Sequence, residues 1–170
     1  MRRLILFRHA KTEARQPGGD DFGRRLVERG RSDAALMGRV LADAGFAPDV
    51  VLISPAARAR ETWELAQPAF PAAETHLRPE LYDATPEEVE AAIEAASGKT
   101  IMVVGHNPSL QELAVNIVAE NGGLYADIDR LSAAFPTAAA AVFAIDEHGR
   151  RELEALFRAS DHRQGAELRR

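Results

Sequence analysis

The sequence predicts an α/β fold, because short apolar runs that suit buried strands alternate with segments of helical periodicity. The predicted buried strands cover residues 4–7, 49–53 and 100–104. Runs this short and this apolar are typical of strands that are covered on both faces. The alternation therefore predicts a sheet packed between helices, in a single domain over residues 1–159.

The composition of the whole chain agrees with one globular domain and excludes several classes of protein. Of its 170 residues, 46% are hydrophobic, 28% are charged and none is cysteine. Without cysteine there is no disulfide framework, thiolate metal site or cysteine nucleophile. The net charge of −5 argues against a nucleic-acid partner. No run approaches the roughly 18 apolar residues of a membrane span, so we expect no membrane contact and a cytoplasmic location.

Helices are predicted over four segments, residues 32–44, 54–66, 85–96 and 107–118. Pro55 takes the first helical position of the second one, where a missing N–H costs nothing. Thr85 and Glu88 form a capping box at the start of the third. Residues 68–79, between the second and third predicted helices, are interpreted as a proline-rich connection. The chain is predicted to end with a hairpin over residues 138–145 and 152–157 and a flexible tail over residues 160–170.

Polar residues follow directly after each of the three predicted strands. Arg8 and His9 follow the first strand, residues 54–58 the second, and residues 105–108 the third. Ligands of open α/β sheets bind beyond the carboxyl ends of the strands, so parallel strands would bring these segments to one rim. That rim would hold two imidazoles and two guanidiniums, which suits a small dianion better than a metal ion.

These side chains fit phosphoryl transfer. The guanidinium groups of Arg8 and Arg58 match phosphoryl oxygens and neutralise their charge. Imidazole is a capable nucleophile, and the neighbouring arginines should keep His9 neutral near pH 7. The N-terminus of the helix beginning near Pro108 would add positive potential for an anion.

Each residue also has a purely structural interpretation. Arg8 and His9 would then be a surface pair, His106 a capping residue, and Arg58 part of a solvated helix face. The remaining histidines receive no functional assignment; they are His76, His148 and His162. The functional interpretation depends on the co-occurrence of the three strand-end segments.

The three segments resemble the motifs of the histidine phosphatase superfamily, also called the phosphoglycerate mutase-like family. Residues 4–11 (LILFRHAK) are similar to its Arg-His signature, with Ala10 in place of the usual Gly. Residues 54–62 (SPAARARET) resemble Ser-Pro-x-x-Arg-Ala-x-x-Thr, and residues 103–108 (VVGHNP) resemble the third motif. The similarity extends to about residue 145. Ala10 and the short chain favour the SixA-type phosphohistidine phosphatase branch over the longer sugar-phosphate mutases.

The resemblance implies a fold and a role for individual residues. The implied fold is a three-layer α/β/α sandwich with a mostly parallel central sheet, phosphoglycerate mutase-like. His9 is implied as the nucleophile that becomes a transient phosphohistidine. Arg8, Arg58 and His106 are implied to hold the phosphoryl group, and Asn107 joins them as a phosphate-binding residue. No metal and no organic cofactor are implied.

The chain departs from the family at the general acid. Many members carry Glu in a Leu-x-Glu segment, and the counterpart here is residues 81–83, which end in the shorter Asp83. Asp83 is the candidate acid, and a turn residue before the capping box is the alternative. A phosphoramidate nitrogen can be protonated before it departs, whereas an alkoxide must receive its proton during cleavage. A weak acid therefore favours P–N substrates.

Four hypotheses on function remain at this point. The leading one is a metal-independent phosphatase that acts on phosphohistidine of a protein. The second is a small-molecule phosphomonoesterase or mutase with Asp83 as its acid, and the third is a non-catalytic module that binds a phosphorylated partner. A metal-dependent hydrolase is disfavoured because the acidic residues have the spacing of a solvated helix face. The expected partner is a phosphorylated protein or a small phosphorylated substrate, and Lys11 and Arg25 are either substrate contacts or solvated rim residues.

Overall fold

In the computed structural model, which describes residues 2–164, the chain folds around a six-stranded sheet. The strands are β1 (Arg2–Arg8), β2 (Val50–Ile53), β3 (Glu74–Leu77), β4 (Thr100–Gly105), β5 (Ala140–Ile145) and β6 (Arg151–Phe157). The α-helices are α1 (Glu28–Asp43), α2 (Ala57–Ala66), α3 (Pro86–Glu94), α4 (Ser109–Glu120) and α5 (Tyr125–Ala133). Short 3₁₀ helices cover Gln67–Ala69, Pro79–Leu81 and Ala159–Asp161.

The order of the strands places the three predicted strand ends side by side. The order is β3-β2-β4-β1-β5-β6, and the first four strands are parallel to one another. The strand β5 is antiparallel to both of its neighbours, β1 and β6. The strand β4 lies between β1 and β2, and its Gly105 pairs with Arg8 of β1. The mostly parallel sheet and the terminal hairpin are thus confirmed. The residues that follow β1, β2 and β4 emerge at one edge of the sheet.

Helices cover both faces of the sheet, as expected for three layers. Alternate residues of β1 point to opposite faces. Leu4 and Leu6 belong to an apolar cluster with α3, α4 and α5. Ile5 and Phe7 belong to a second cluster with α1 and α2. Because β1 is buried on both sides, its sequence shows a continuous apolar run rather than an alternating one.

One strand and one α-helix are not predicted from the sequence. Residues 68–79 contain β3, an edge strand whose four residues are all exposed and therefore lack an apolar signal. The helix α5 lies in a segment for which no element was predicted, and Leu131 is its buried residue. Edge strands and short peripheral helices bury little surface, so their apolar pattern is weak.

The predicted helix boundaries need corrections, while one cap is confirmed. The helix α1 begins at Glu28 instead of residue 32. The helix α2 begins at Ala57, so Pro55 precedes the helix and does not take its first position. The capping box of α3 is present, with Thr85 Oγ1 accepting from the Glu88 N–H and the Glu88 carboxylate accepting from the Thr85 N–H.

The predicted C-terminal tail is only partly described. Residues 159–161 form a 3₁₀ helix, and Arg163 donates two hydrogen bonds to Asp33, which attach the start of the tail to α1. Residues 165–170 lie outside the described residues, and for them flexibility stays a prediction. Within residues 2–164, no helix has the length and apolar character needed to cross a membrane.

Candidate active site

The backbone of His9 is fixed between two strands at the end of β1. Its N–H donates to Gly105 O at 2.9 Å, and its C=O accepts from Ala138 N at 3.0 Å. Its ring Nδ1 lies 2.8 Å from Ala10 O. A carbonyl oxygen only accepts, so Nδ1 carries the ring proton and Nε2 carries the lone pair. The fold thus selects the tautomer that leaves Nε2 free to attack.

The imidazole of His9 is neutral at physiological pH. Its side chain is buried, with 7% of the residue exposed. Burial lowers the pKa of His9 to about 3, although its hydrogen bond to Ala10 acts in the opposite direction. The charges of His106, Arg8 and Arg58 contribute to the same lowering. We expected the arginines to keep His9 neutral; in the structure burial is the larger cause.

Both arginines are anchored at a terminal nitrogen and unpartnered at Nε. An NH group of Arg8 donates to Phe135 O at 3.0 Å. Arg58 donates to Asp21 O at 2.8 Å and to Asp21 Oδ2 at 3.3 Å. The Nε atoms of Arg8 and Arg58 are buried and have no hydrogen-bond partner among residues 2–164. Each guanidinium is therefore held in place while one N–H remains available.

His106 follows β4 and lies beside His9, with ring centroids 5.3 Å apart. Its Nε2 lies 2.7 Å from the hydroxyl oxygen of Ser54, the first residue after β2. Its Nδ1 is buried and has no partner among the described residues. Burial, followed by the charge of Arg58, lowers the pKa of His106 to about 4. This second imidazole is also neutral near pH 7.

Three buried nitrogens on residues near the His9 ring have no partner among residues 2–164: Nε of Arg8, Nε of Arg58 and Nδ1 of His106. Arg8 precedes His9 in the chain, and the centroid of the His106 ring lies 5.3 Å from that of His9. The charge of Arg58 contributes to the lowered pKa of His9. An unsatisfied buried donor costs about 1–3 kcal/mol, so such a concentration indicates a site built for an anionic ligand.

Asn107 and Arg8 donate to the same carbonyl oxygen. Its Nδ2 donates to Phe135 O at 2.9 Å and approaches Gln111 Oε1 at 3.3 Å. Phe135 O is also the acceptor for Arg8, so Asn107 helps to fix the carbonyl that anchors this guanidinium. Direct phosphate binding by Asn107 stays a prediction.

Asp83, the candidate acid, lies in a turn. It is exposed and has a φ of 56°, a left-handed conformation that Asp tolerates better than most residues. Thr85 and the capping box follow directly after this turn. The geometry agrees with the turn interpretation, and the acid role stays a prediction.

A different carboxylate, Asp21, reaches the site from the loop before α1. Its oxygens accept from Tyr82 Oη at 2.8 Å, Arg24 Nε at 3.0 Å and Arg58 at 3.3 Å. Burial raises the pKa of Asp21, but the Tyr82 hydrogen bond and the charges of Arg58 and Arg24 hold it at about 2. Asp21 is therefore ionised. Sequence reasoning missed it because nothing in a polar loop marks which acidic residue turns inward.

Lys11 and Arg25, whose roles the sequence left undecided, make different contacts in the structure. Arg25 pairs with the buried Glu61 at 2.8 Å, which ties the loop to α2. The side chain of Lys11 is exposed, while its carbonyl accepts from Val27 N at 3.1 Å. A Cβ on Gly30 would approach Lys11 O to 2.0 Å, so the loop can close here only over glycine. Among the described side chains, no three His, Asp or Glu residues are arranged to hold a metal ion.

A family model and several relatives match the chain. The family model described as the histidine phosphatase superfamily (branch 1) matches residues 4–91, which include Arg8, His9 and Arg58. The chain belongs to this superfamily. Uncharacterised relatives match over most of the chain. A chloroplastic protein of Arabidopsis thaliana is 32% identical over 91% of this chain and 77% of its own length. A protein of Mycobacterium tuberculosis H37Rv is 36% identical over 83% of this chain and 88% of its own length.

Solved structures of the histidine phosphatase superfamily have the same fold. A protein of Agrobacterium tumefaciens named as phosphohistidine phosphatase SixA superposes with a TM-score of 0.81 at 32% identity. The match covers 92% of this chain and 97% of that one. Phosphoglycerate mutase from Plasmodium falciparum shares the fold at a TM-score of 0.63 and 20% identity, covering 92% and 90% of the two chains. Family membership supports a phosphatase and implies a phosphorylated substrate.

Proposed function

We propose that this chain is a metal-independent phosphatase that removes phosphate from phosphohistidine of a protein through a phosphohistidine intermediate on His9. The observation that carries the proposal is the neutral His9 ring, whose Nε2 is unprotonated and which lies beside arginine and histidine side chains with unpartnered buried nitrogens. A nucleophile is of no use to a module that only binds, so this geometry favours catalysis over the non-catalytic alternative.

In the first step, the Nε2 lone pair of His9 forms a bond to phosphorus and the P–N bond of the substrate breaks. The electron pair of that bond returns to the ring nitrogen of the leaving imidazole. If the other nitrogen of that ring holds a proton, the leaving group departs as neutral imidazole. The guanidiniums of Arg8 and Arg58 stabilise the charge on the transferring oxygens.

In the second step, water attacks phosphorus and His9 becomes the leaving group. Its Nδ1 proton, held by Ala10 O, allows it to depart as neutral imidazole. The proton lost by water goes to the released phosphate. The two steps therefore have the same chemistry, and neither requires a general acid.

The carboxylates near the site favour a P–N substrate over an alkyl ester. Asp21 is ionised, since its pKa is about 2, and so it has no proton to donate. Asp83 is exposed in its turn. An alkoxide would depart without an efficient proton donor, which general acid catalysis normally supplies at a gain of about 10²–10⁴ in rate. The similar Agrobacterium tumefaciens protein carries the name phosphohistidine phosphatase, which supports the same substrate class.

The test is phosphate release from a phosphohistidine-containing phosphotransfer protein, with an aryl phosphate and 3-phosphoglycerate measured beside it. We expect release from phosphohistidine to exceed release from 3-phosphoglycerate by at least ~10², the loss that follows from lacking a general acid. His9→Ala should abolish turnover, while His148→Ala, which removes an exposed histidine, should not change it.

Three outcomes would contradict the proposal. A preference for an ester, with phosphohistidine untouched, would make the chain a small-molecule phosphatase. Near-normal turnover by His9→Ala would exclude His9 as the nucleophile. Tight vanadate binding without turnover of any phosphorylated substrate would indicate a binding module.

A further inference from the structure

We propose that Ser54 is a positioning residue whose hydroxyl donates to Nε2 of His106 and thereby keeps the ring proton of His106 on Nδ1. In this arrangement Nδ1–H is available as a donor to the phosphoryl group. The effect on catalysis depends on the proposed function, whereas the proton position does not.

The contact between the two side chains is short and protected from solvent. Ser54 Oγ and His106 Nε2 are 2.7 Å apart, Ser54 is 0% exposed and His106 is 8% exposed. The backbone of Ser54 is held by a hydrogen bond from its N–H to Val104 O at 3.0 Å. Ser54 follows β2 and His106 follows β4, and these two strands are neighbours in the sheet. The two side chains therefore face each other in a fixed geometry.

Hydrogen-bond accounting decides the direction of this bond. Ser54 Oγ accepts from Ala56 N at 3.4 Å, and His106 Nε2 is the acceptor within reach of its hydroxyl proton. If Ser54 donates, Nε2 accepts and one buried donor, Nδ1–H, is left over. If Nε2–H donates instead, both the Ser54 hydroxyl proton and the Nδ1 lone pair are left over. The first arrangement leaves one fewer unsatisfied buried group, which is worth about 1–3 kcal/mol.

The electrostatics of the site make this choice matter. Since the pKa of His106 is about 4, the ring is neutral at pH 7 and carries a single proton. If Nδ1 carries the proton, it donates a hydrogen bond to a phosphoryl oxygen. A lone pair on Nδ1 would face the same oxygen with repulsion, so the tautomer determines whether His106 assists or opposes the anion.

Nitrogen NMR of ¹⁵N-histidine-labelled protein at pH 7 measures the proton position without any substrate. We expect His106 to show a protonated Nδ1 and an unprotonated, hydrogen-bonded Nε2. In Ser54→Ala the population should move toward the Nε2–H tautomer, and in Ser54→Thr, which keeps the hydroxyl, it should resemble the wild type. A wild-type spectrum with the proton on Nε2 would overturn the proposal, whatever the variants do.

Kinetics with the matched serine variants separate positioning from packing. Ser109 Oγ is also buried and donates to His106, but to its backbone O at 2.9 Å. We expect Ser54→Ala to lower kcat/KM by about 10–100-fold, somewhat less than the ~10²–10³ of losing a whole oxyanion donor. Ser54→Thr should restore most of the activity, and Ser109→Ala should stay within about threefold of the wild type because the ring contact is intact.

Equal losses in Ser54→Ala and Ser109→Ala, with an unchanged His106 tautomer, would show that Ser54 acts only through packing. The tautomer remains readable even if the chain turns out to lack phosphatase activity. Failure of this inference is therefore distinguishable from failure of the proposed function.

Discussion

Two pairs of charged residues, each with one buried member, are used in opposite ways in this molecule. Asp33 of α1 has a side chain that is 3% exposed, and Arg163 donates to both of its oxygens, at 3.0 and 2.7 Å. Arg58 is buried and Arg8 is half-buried, and each keeps a buried Nε without a partner in the described chain. The first arrangement is complete by itself, and the second leaves hydrogen-bonding capacity for a ligand.

The difference teaches how a structural ion pair can be distinguished from a binding site in the same fold. A buried charge that is fully paired contributes to holding two segments together, here α1 and the residues that follow β6. A buried charge with an open donor raises the free energy of the native state and is retained for recognition. The two classes should therefore respond to mutation in opposite ways, which the following predictions exploit.

The largest expected effect is the loss of activity in Arg58→Ala. Removing the guanidinium that we propose contacts the transferring group should lower kcat/KM by about 10³. The free energy of unfolding should change by no more than about 1 kcal/mol, because the hydrogen bonds lost to Asp21 offset the relief of the unpartnered Nε. Arg60→Ala, which removes an exposed arginine from the same helix, is the matched control and should leave the activity unchanged. Steady-state kinetics and urea unfolding measure both quantities; a large loss of stability in Arg58→Ala would place this residue with Asp33 instead.

Lowering the pH should destabilise the protein through its two buried histidines. His9 and His106 have native pKa values of about 3 and about 4, against 6.5 in an unfolded chain. Between pH 7 and pH 5 the unfolded chain binds protons at these histidines and the native state does not, so stability falls as the pH falls. Each histidine should lower the free energy of unfolding by about 2 kcal/mol over this interval.

Urea titrations of the wild type and of His9→Gln at pH 7 and pH 5 test this pH dependence. The part of the stability loss that comes from the two histidines should be about half as large in His9→Gln as in the wild type, because only His106 remains. Equal losses in the two proteins would mean that the His9 ring takes up its proton in the native state as well.

The third prediction concerns the complete pair. Asp33→Asn should lower the free energy of unfolding by about 1–3 kcal/mol, because it leaves Arg163 without its charge partner. Activity measured at a temperature where the variant is folded should remain within about twofold of the wild type. Asp43→Asn, at an exposed position of the same helix, should change the stability by no more than about 0.5 kcal/mol. An activity loss as large as that of Arg58→Ala would contradict the division between the two pairs.

The smallest effect is expected for Asp83→Asn. Asn tolerates the left-handed backbone conformation at this position, so the turn should persist. We expect kcat/KM for phosphohistidine to change by less than about threefold, well below the ~10² that marks a general acid. A loss of that size with an ester substrate would assign the acid role to Asp83 and favour the small-molecule hypothesis.

The elements that bury apolar surface could be predicted from the sequence. The elements that bury little could not. The strands β1, β2 and β4 are continuous apolar runs, and the polar residues after them mark the rim directly. The edge strand β3 has no buried residue, so nothing in its composition distinguishes it from a loop.

The same division holds within the site. Arg8, His9 and His106 lie at or next to strand ends, and Arg58 lies in the first turn of the helix that follows β2, so their sequence positions predict that they meet. Asp21 comes from a loop, and its contact with Arg58 depends on how that loop folds back. Ser54 was noticed only as part of a motif, because its partner is 52 residues away in the chain and the contact exists only in the folded sheet.

The most direct test of the central claim is to trap the phosphoryl group on the enzyme. The wild type is mixed with ³²P-labelled phosphohistidine protein, quenched in alkaline denaturant within milliseconds and digested for mass spectrometry. We predict a label that is stable to alkali, labile to acid and located at His9, and that is absent from His9→Ala. Rapid phosphate release by the wild type with no label on His9 at any time point would contradict it.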